Sequence, residues 1–287
     1  MITFPCCKIN LGLNITARRP DGYHDLETVF YPVPLCDALS IKRMDEAFPS
    51  PISCDIKVSY SEELGSAPLA TLSDKDNLVV KAYDLLARDY RLPRLHAHLY
   101  KQIPSQAGLG GGSSDAAFMI KLIDEYCHLN IGNAEMERYA AMLGADCAFF
   151  IAAEPAFATG KGEQLSPADA PSGNLRGYHL ALVKPSVAVS TAEAYASITP
   201  RQPEKCCRDI VRQPINTWRD ELTNDFEEPI FKLHPVLGNI KQRLYDLGAE
   251  YSQMSGSGST VFGIFKKRPT DIASLFPDCF TAVVELE

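Results

Sequence analysis

The sequence predicts an α+β fold in two domains. The chain has 287 residues, of which 46% are hydrophobic, and this suffices for two modest cores. In the second half the predicted elements run strand, helix, helical insert, strand, strand, helix and strand, an order typical of a split βαβ arrangement. Pro155 interrupts the periodic segments. We therefore expect one domain over 1–155 and a second over 156–287.

An alternating strand is predicted near the N-terminus. In KINLGLNI, residues 8–15, every second residue is apolar, which is typical of a half-buried strand. The period of two places Lys8 and Asn10 on one face, where both can point at one ligand. Taken alone, the pattern favours a solvated lysine and an ordinary polar strand residue over a binding site. The PDG turn at 20–22 then leads to a second strand-like run.

A helix and a strand are predicted before the middle of the chain. Asn77 caps LVVKAYDLLARDY, whose apolar residues recur at helical spacing. From Leu95 to Leu99 apolar residues alternate with polar ones, which predicts a strand. His96 and His98 share one face of this strand. Two histidines without a third ligand are more typical of a solvated face than of a metal site.

The segment PSQAGLGGGSS, from Pro104 to Ser114, follows this strand and precedes a helical pattern. Three glycines in a row let backbone N–H groups approach an anion unobstructed, and a helix start adds unpaired N–H groups. The segment has neither the GxxxxGK[ST] nor the GxGxxG spacing. It predicts a phosphate-binding loop of another kind, and a glycine-rich turn with a serine N-cap is the alternative.

Two acids and a second glycine cluster follow the loop. Asp115 lies in the first turn of the predicted helix, where an acid suits the helix dipole, and we expect a structural role rather than Mg²⁺ binding. GADCAFF places Asp146 between small residues and a predicted apolar strand, a position more typical of a cap or turn former than of a catalytic acid. The cluster SGSGS, 255–259, fits a flexible hairpin turn and a ligand-contacting loop equally well.

The remaining elements are predicted from periodicity and from helix start and stop signals. Helices are expected through SSDAAFMIKLIDEYCHL, from Asn133 to Gly144, from near Thr191, from Pro235 to Leu247 and near 270–276. Strands are expected at 177–184, 250–254, 260–265 and 279–286.

Composition narrows the class of protein. The net charge of −8 and the pI of about 5.3 disfavour a nucleic-acid partner, because neutralising phosphates needs clustered Lys and Arg. The N-terminus lacks the basic start and apolar run of a signal peptide, and the apolar stretch 147–153 is too short to span a bilayer. Nine cysteines without a CxxC pair indicate reduced packing residues. We expect a cytoplasmic protein with no membrane partner.

Three motifs together resemble the GHMP kinase superfamily: KINLGL near the start, PSQAGLGGGSSDAA in the middle and MSGSGSTVFGIF near the end. The resemblance implies an N-terminal domain with a ribosomal protein S5 domain 2-like fold and a ferredoxin-like C-terminal domain. KINLGLNITARRPDGYHDLETVF, GADCAFF and ATGKGEQL are similar to one branch of the superfamily. Members of that branch phosphorylate the 2-hydroxyl of a cytidine-diphosphate-linked sugar alcohol with ATP, in the non-mevalonate route to isoprenoids. The resemblance covers nearly the whole chain.

The resemblance implies roles for individual residues. Asp146 matches the acid that takes or orients the hydroxyl proton, Lys8 the lysine beside it, and Asn10 a polar substrate contact. A lysine beside an aspartate keeps the carboxylate ionised and stabilises a developing alkoxide. The implied ATP phosphate loop comprises Pro104, Gly108, Leu109, Gly110, Gly111, Gly112, Ser113 and Ser114.

Three further residues match the acceptor side of the family pattern. Tyr23 corresponds to an aromatic that stacks on the cytosine, and His24 to a residue that hydrogen bonds with the base. Tyr195 falls where a second aromatic closes the sandwich, although the preceding STAEA departs from a pattern that is proline-rich in some members.

The implied ligands are ATP with Mg²⁺ and a small cytidine-diphosphate-linked sugar alcohol. Mg²⁺ is expected to arrive with the nucleotide, held by phosphates, waters and a serine, without a dedicated metal site. We expect a monomer or a weak homodimer. Two alternatives stay open: a kinase of this type for another small alcohol, and a non-catalytic nucleotide-sensing or RNA-binding module.

Overall fold

The structure is a computed structural model, and it describes residues 1–47, 51–64, 76–168 and 175–286. The chain forms two compact units. The first unit comprises Met1–Cys7, Leu35–Ser105 and Gly110–Ala153, and the second comprises Lys8–Pro34, Gln106–Leu109 and Glu154–Glu287. The step from the first unit to the second after Ala153 lies close to the predicted boundary. The assignment of 8–34 and 106–109 to the second unit was not expected, and the two sequence domains themselves stay a prediction.

The regular elements alternate along the chain. The strands are β1 (Ile2–Thr3), β2 (Cys6–Arg18), β3 (His24–Cys36), β4 (Ala38–Arg43), β5 (Cys54–Tyr60), β6 (Leu95–Lys101), β7 (Ala156–Thr159), β8 (Gln164–Pro167), β9 (His179–Pro185), β10 (Tyr251–Met254), β11 (Val261–Phe265) and β12 (Cys279–Glu285). The α-helices are α1 (Leu78–Leu86), α2 (Gly111–Cys127), α3 (Asn133–Leu143), α4 (Phe149–Ala152), α5 (Thr191–Ala196), α6 (Cys207–Ile210), α7 (Trp218–Glu221), α8 (Glu227–Leu233), α9 (Pro235–Asp246) and α10 (Ile272–Leu275). Short 3₁₀ helices lie at Glu62–Leu64 and Ile215–Thr217.

The first unit packs helices α1 to α4 with a four-stranded sheet of order β1-β4-β6-β5. β6 pairs antiparallel with β4 and parallel with β5. Along β6 the burial alternates strictly, as the sequence predicts, and His96 and His98 face outward. The predicted cap is also confirmed, because the Asn77 side chain accepts a hydrogen bond from the Val79 N–H at 2.9 Å. In α2 the apolar residues at helical spacing are buried.

The second unit contains two sheets. The strands of one have the order β2-β3-β7-β8, which explains why the N-terminal segment 8–34 clusters with residues beyond Glu154. The other is antiparallel with the order β10-β11-β9-β12. In chain order these four strands run 2-3-1-4, the arrangement of a ferredoxin-like split βαβ unit. The predicted fold class of the C-terminal half is confirmed.

The helices of the second unit cover its ferredoxin-like sheet. α9 begins at Pro235 and ends before Gly248, which has a φ of +94°, so both the predicted proline start and the glycine stop are confirmed. Leu237, Ile240 and Leu244 of this helix are buried in the apolar cluster over the sheet. No helix in the described ranges has the length and apolar character to cross a membrane.

One predicted element is wrong. The apolar residues after Asp146 form the short helix α4, not a strand. Phe149, Phe150 and Ile151 are all buried, so the run has no polar positions from which a period could be read. The helix ends at Ala152, and the C-cap residue Ala153, with a φ of +52°, closes the last turn in the left-handed conformation.

Candidate active site

Lys8 and Asn10 lie on one face of β2 and contact each other. The Lys8 Nζ donates a hydrogen bond to the Asn10 Oδ1 at 2.6 Å, and the Asn10 Nδ2 donates to the Thr28 Oγ1 at 3.0 Å. Both side chains are almost fully buried, Lys8 with 3% and Asn10 with 2% of its surface exposed. The Lys8 ammonium also lies 5.0 Å from the centroid of the Phe30 ring. A lysine this buried is not the solvated strand residue that the pattern alone favoured.

The first half of the glycine loop is fixed to Lys8. The Gly108 carbonyl oxygen accepts hydrogen bonds from the Lys8 Nζ at 3.1 Å and from the Ser255 Oγ at 2.9 Å. Gly108 has a φ of +73°, and a Cβ atom there would lie 1.9 Å from the Ser255 carbonyl oxygen. Only glycine fits at this position. The loop is therefore held against the second glycine cluster.

The SGSGS cluster is ordered by a buried asparagine. The Asn224 Nδ2 donates hydrogen bonds to the carbonyl oxygens of Met254 and Gly256, both at 2.8 Å. Ser255 and Ser259 are fully buried. Of the two alternatives for this cluster, the flexible hairpin turn does not fit a segment held in this way. Asn224 itself was not singled out from the sequence, where an isolated asparagine carries no periodic signal.

The second half of the loop opens α2. Gly110 is the N-cap, with a φ of +70° in the left-handed region, and the helix begins at Gly111. The alternative of a serine N-cap is therefore wrong. Ser113 is half-buried in the first turn, whereas Ser114 is fully buried and its Oγ has no hydrogen-bond partner among the described residues. The Ser113 hydroxyl is the one that reaches the surface of this turn.

The turn that carries Asp146 adjoins the start of α2. Asp146 is half-buried in the turn between α3 and α4. Burial raises the pKa of the next residue, Cys147, to about 11, and the nearby Ser113 hydroxyl acts in the opposite direction. The first unit thus brings Asp146 close to the helix end of the glycine loop. Lys8 belongs to the second unit, so its pairing with Asp146 stays a prediction.

A buried ionic cluster lies beneath the loop helix. The Lys101 Nζ donates a hydrogen bond to the Asp115 Oδ2 at 2.7 Å and another to the Asp37 Oδ2. We call Lys101, Asp37 and Asp115 the ionic triad. Sequence reasoning missed Lys101 and Asp37, although the alternation of β6 carried a signal. Lys101 continues the buried face of Leu95, and a lysine on an apolar face needs buried counter-charges.

Burial and the charges within the triad shift the pKa values of Asp115 and Lys101. Burial raises the pKa of Asp115 to about 7. The attraction of the Lys101 ammonium acts to lower this pKa, and the repulsion of the Asp37 carboxylate acts to raise it. Burial acts to lower the pKa of Lys101, but the attraction of Asp115 and Asp37 outweighs it, so that this pKa is raised. The structural role expected for Asp115 agrees with these contacts.

Replacing Asp115 by Asn is expected to flatten the pH dependence of thermal stability. Between about pH 4, the ordinary value for an aspartate, and about pH 7, folded protein binds more protons at Asp115 than unfolded protein does. Its contribution to the free energy of unfolding therefore falls as the pH rises through that window. Melting curves from pH 5 to pH 7.5 should show a smaller fall in Tm for Asp115→Asn than for the wild type. An equal fall in both proteins would contradict the raised pKa.

His24 and Tyr195 contact each other, and the predicted sandwich of Tyr23 and Tyr195 around the cytosine stays a prediction. The His24 and Tyr195 rings stack at 5.0 Å between centroids with an interplanar angle of 22°. Tyr195 also packs edge-on against Phe226. Tyr23 is 60% exposed, with the Lys161 ammonium 4.7 Å from the centroid of its ring. Tyr195 thus supports His24, while Tyr23 presents an exposed ring.

One further group of side chains has metal-ligand chemistry. Among the described residues, one ligand atom each of Glu27, Cys206 and Cys207 lie within 4.8 Å of one another. The hydrogen bond with Cys206 and burial together raise the pKa of Cys207 well above its ordinary value. A thiol must lose its proton to bind a metal. The hydrogen bond with Cys207 lowers the pKa of Cys206, so the two neighbouring thiols are shifted in opposite directions.

Comparison with known proteins gives matches in both halves of the chain. The family model of the GHMP kinases N terminal domain matches residues 77–154, and that of the GHMP kinases C terminal matches residues 208–275. A relative from Bacteroides thetaiotaomicron, named 4-diphosphocytidyl-2-C-methyl-D-erythritol kinase, is 52% identical over 94% of both chains. A relative of the same name from Bacteroides fragilis is 48% identical over the full length of both chains.

Solved structures agree with these matches. A crystal structure of 4-(cytidine 5'-diphospho)-2C-methyl-D-erythritol kinase is similar over 99% of both chains, with a TM-score of 0.78 and 27% identity. The mevalonate kinase of Methanococcus jannaschii has a TM-score of 0.68 at 13% identity, covering 100% of this chain and 98% of that one, which shows the shared fold alone. The chain belongs to the GHMP kinases and, within them, to the family of 4-diphosphocytidyl-2-C-methyl-D-erythritol kinases.

Proposed function

We propose that this protein transfers the γ-phosphoryl group of ATP to the 2-hydroxyl of 4-diphosphocytidyl-2-C-methyl-D-erythritol, releasing ADP and the 2-phosphate. This is a step of the non-mevalonate route to isoprenoid precursors. The observation that carries the proposal is the buried Lys8, whose ammonium is held by Asn10 and by the Gly108 carbonyl of the glycine loop. A cation fixed to a phosphate loop suits phosphoryl transfer, which depends on alignment and on neutralising charge.

The phosphate loop binds the nucleotide through its backbone. Residues Gly108 to Ser114 combine left-handed glycines with the start of α2, where N–H groups and the helix dipole favour an anion. Pro104 begins the segment and is buried, which fixes its entry. These features support the assignment of the whole segment to ATP.

Asp146 and Lys8 act on the acceptor hydroxyl in this mechanism. Asp146 takes or orients the hydroxyl proton as the oxygen attacks the γ-phosphorus, and Lys8 stabilises the negative charge that develops on that oxygen. The Asn10 Oδ1 accepts a hydrogen bond from the Lys8 Nζ and thereby fixes the position of the ammonium group. We propose Asn10 as a polar contact of the acceptor as well, the role that the resemblance implies.

Mg²⁺ fits this site as a companion of ATP. The half-buried Ser113 hydroxyl at the start of α2 is an oxygen donor of the kind that Mg²⁺ accepts, and Ser114 is directed into the core. When bound, the ion would neutralise part of the charge on the phosphates of the nucleotide. Ser113 is therefore the serine that we assign to it.

The cytosine is recognised by the DGYH region. The exposed Tyr23 ring stacks on the base, and His24, supported from behind by Tyr195, hydrogen bonds with the edge of the base. In this arrangement Tyr195 acts by positioning His24. The partners are ATP and this acceptor, and we propose a monomer or weak homodimer in the cytoplasm.

Tyr23→Ala is expected to weaken binding of the acceptor about 5- to 150-fold, since stacking of one base on an aromatic ring contributes about 1–3 kcal/mol. The KM for ATP should change little. Steady-state kinetics with each substrate varied would measure both effects. Tyr60→Ala, which removes an exposed tyrosine of β5, is the matched control and should leave both KM values unchanged.

The same variant separates the proposal from a kinase of another small alcohol. An acceptor without a cytosine has no base to stack, so Tyr23→Ala would leave its KM near that of the wild type. An unchanged acceptor KM would therefore exclude cytosine stacking at Tyr23.

A further inference from the structure

The ionic triad joins both ends of the glycine loop. Lys101 is the last residue of β6, on the entry side, and Asp115 lies in the first turn of α2, on the exit side. The Lys101 Nζ donates to the carboxylates of both aspartates, and Asp37 immediately precedes β4. One ammonium therefore connects the strand that leads into the loop with the helix that leads out of it.

Asp37 also binds the backbone of the entry side. Its Oδ1 accepts hydrogen bonds from the N–H groups of Gln102 and Ile103, at 2.5 and 2.8 Å. These residues directly precede Pro104. The three side chains of the triad are more than nine-tenths buried, with Lys101 at 7%, Asp37 at 0% and Asp115 at 3% exposed. Water does not compete with these contacts, so their geometry is fixed.

The exit side of the loop lies directly over the same cluster. A Cβ atom on Gly111, the first residue of α2, would lie 2.9 Å from the Ile103 Cγ2 and 3.4 Å from the Lys101 Nζ. The absence of a side chain lets the helix start approach the ammonium closely. The second carboxylate oxygen of Asp115, Oδ1, is buried without a hydrogen-bond partner among the described residues.

We propose that the ionic triad is a clamp that presets the glycine loop for the phosphates of the nucleotide, with Lys101, Asp37 and Asp115 as positioning residues. The triad fixes the spacing of Ile103 and Gly111, and hence the position of the first backbone N–H groups of α2. A preset loop binds an anion without first becoming ordered, which lowers the cost of binding. This inference rests on the proposed function in that it takes the loop as the phosphate site.

Asp115 is the position at which the clamp is best tested. Removing Lys101 would leave two buried carboxylates without a counter-ion, and Lys101→Met is expected to fold poorly. Asp115→Ala removes the exit-side contact and leaves Lys101 paired with Asp37. Asp115→Asn keeps an oxygen that can accept from the Lys101 Nζ and should rescue the loop.

The experiment measures the affinity of the full-length protein for a non-hydrolysable ATP analogue with Mg²⁺ by titration calorimetry, and the KM of each substrate. Asp115→Ala is expected to raise the Kd of the analogue at least tenfold, with the KM of the acceptor within about twofold of the wild type. For Asp115→Asn, the Kd of the analogue and the KM of the acceptor are both expected to stay within about threefold of the wild-type values. Lys121→Met is the matched control. It removes a half-buried lysine of the same helix whose Nζ donates to the Ile151 carbonyl, and it should leave the Kd unchanged.

A structural role alone predicts another result. If Asp115→Ala lowers the Tm but leaves the Kd of the analogue within twofold, or if Asp115→Asn weakens binding as much as Asp115→Ala, the clamp is wrong. Wild-type protein that binds the analogue without phosphorylating the acceptor would contradict the proposed function. The Kd values of the Asp115 variants would still test the clamp in that case. Wild-type protein that does not bind the analogue would overturn both.

Discussion

Asp146→Asn is expected to lower kcat by about 10²–10⁴-fold, the range that a positioned general base contributes. The amide has nearly the shape of the carboxylate but cannot accept the proton of the acceptor hydroxyl. The KM for ATP should stay near that of the wild type, because the nucleotide is bound by the loop and not by this carboxylate. Single-turnover and steady-state kinetics would separate the loss of chemistry from any loss of binding.

The control for this variant is a change of the same type elsewhere in the first unit. Asp84→Asn alters an exposed carboxylate on α1 and should leave kcat unchanged. Near-normal turnover of Asp146→Asn would show that the proton goes elsewhere, and the role assigned to Asp146 would be wrong. A rise in the KM for ATP with kcat unchanged would place Asp146 in nucleotide binding instead.

Gly108→Ala is expected to have the largest effect of a single methyl group. Its Cβ would lie 1.9 Å from the Ser255 carbonyl oxygen, so the backbone of one of the two segments must move. The left-handed conformation costs about 1–2 kcal/mol for a residue with a Cβ, and overpacking costs typically about 1–3 kcal/mol more. Such a movement would also displace the Gly108 carbonyl from the Lys8 ammonium. We expect a loss of about 2–5 kcal/mol in the free energy of unfolding, together with most of the activity.

Gly112→Ala is the matched control for stability. The nearest atom to a Cβ on Gly112 is the Leu78 Cδ1 at 3.9 Å, and the residue lies inside α2, where alanine is preferred to glycine. Urea denaturation should therefore show little loss for this variant. If Gly108→Ala were as stable as Gly112→Ala, the close approach of Gly108 to Ser255 would not exist in solution.

Elements with a regular period were predictable from the sequence. The alternation of β6, the Asn77 cap of α1 and the proline and glycine bounds of α9 are local signals, and each is confirmed. The strand order of the C-terminal sheet followed from the order of strands and helices, because few topologies accommodate that order. The strand predicted after Asp146 was wrong, because a short segment that is buried on every side has no alternation of apolar and polar residues.

The long-range contacts of the site were beyond sequence reasoning. The loop was recognisable by its glycines, but the partner that requires Gly108 is Ser255, which lies 147 residues further along the chain. Asp37 and Lys101 are likewise 64 residues apart, and no local pattern connects them. The stacking of His24 on Tyr195 also depends on tertiary packing alone.

The identity of the phosphoryl acceptor is measured with a coupled assay of ADP release, using purified protein, Mg²⁺-ATP and a panel of candidate alcohols. The panel should contain 4-diphosphocytidyl-2-C-methyl-D-erythritol, mevalonate, homoserine and the methylerythritol unit without its cytidine diphosphate. We expect ADP release that depends on the cytidine-diphosphate-linked acceptor and is at least a hundredfold weaker with the other three. Equal or faster turnover of an alcohol that lacks cytidine would contradict it.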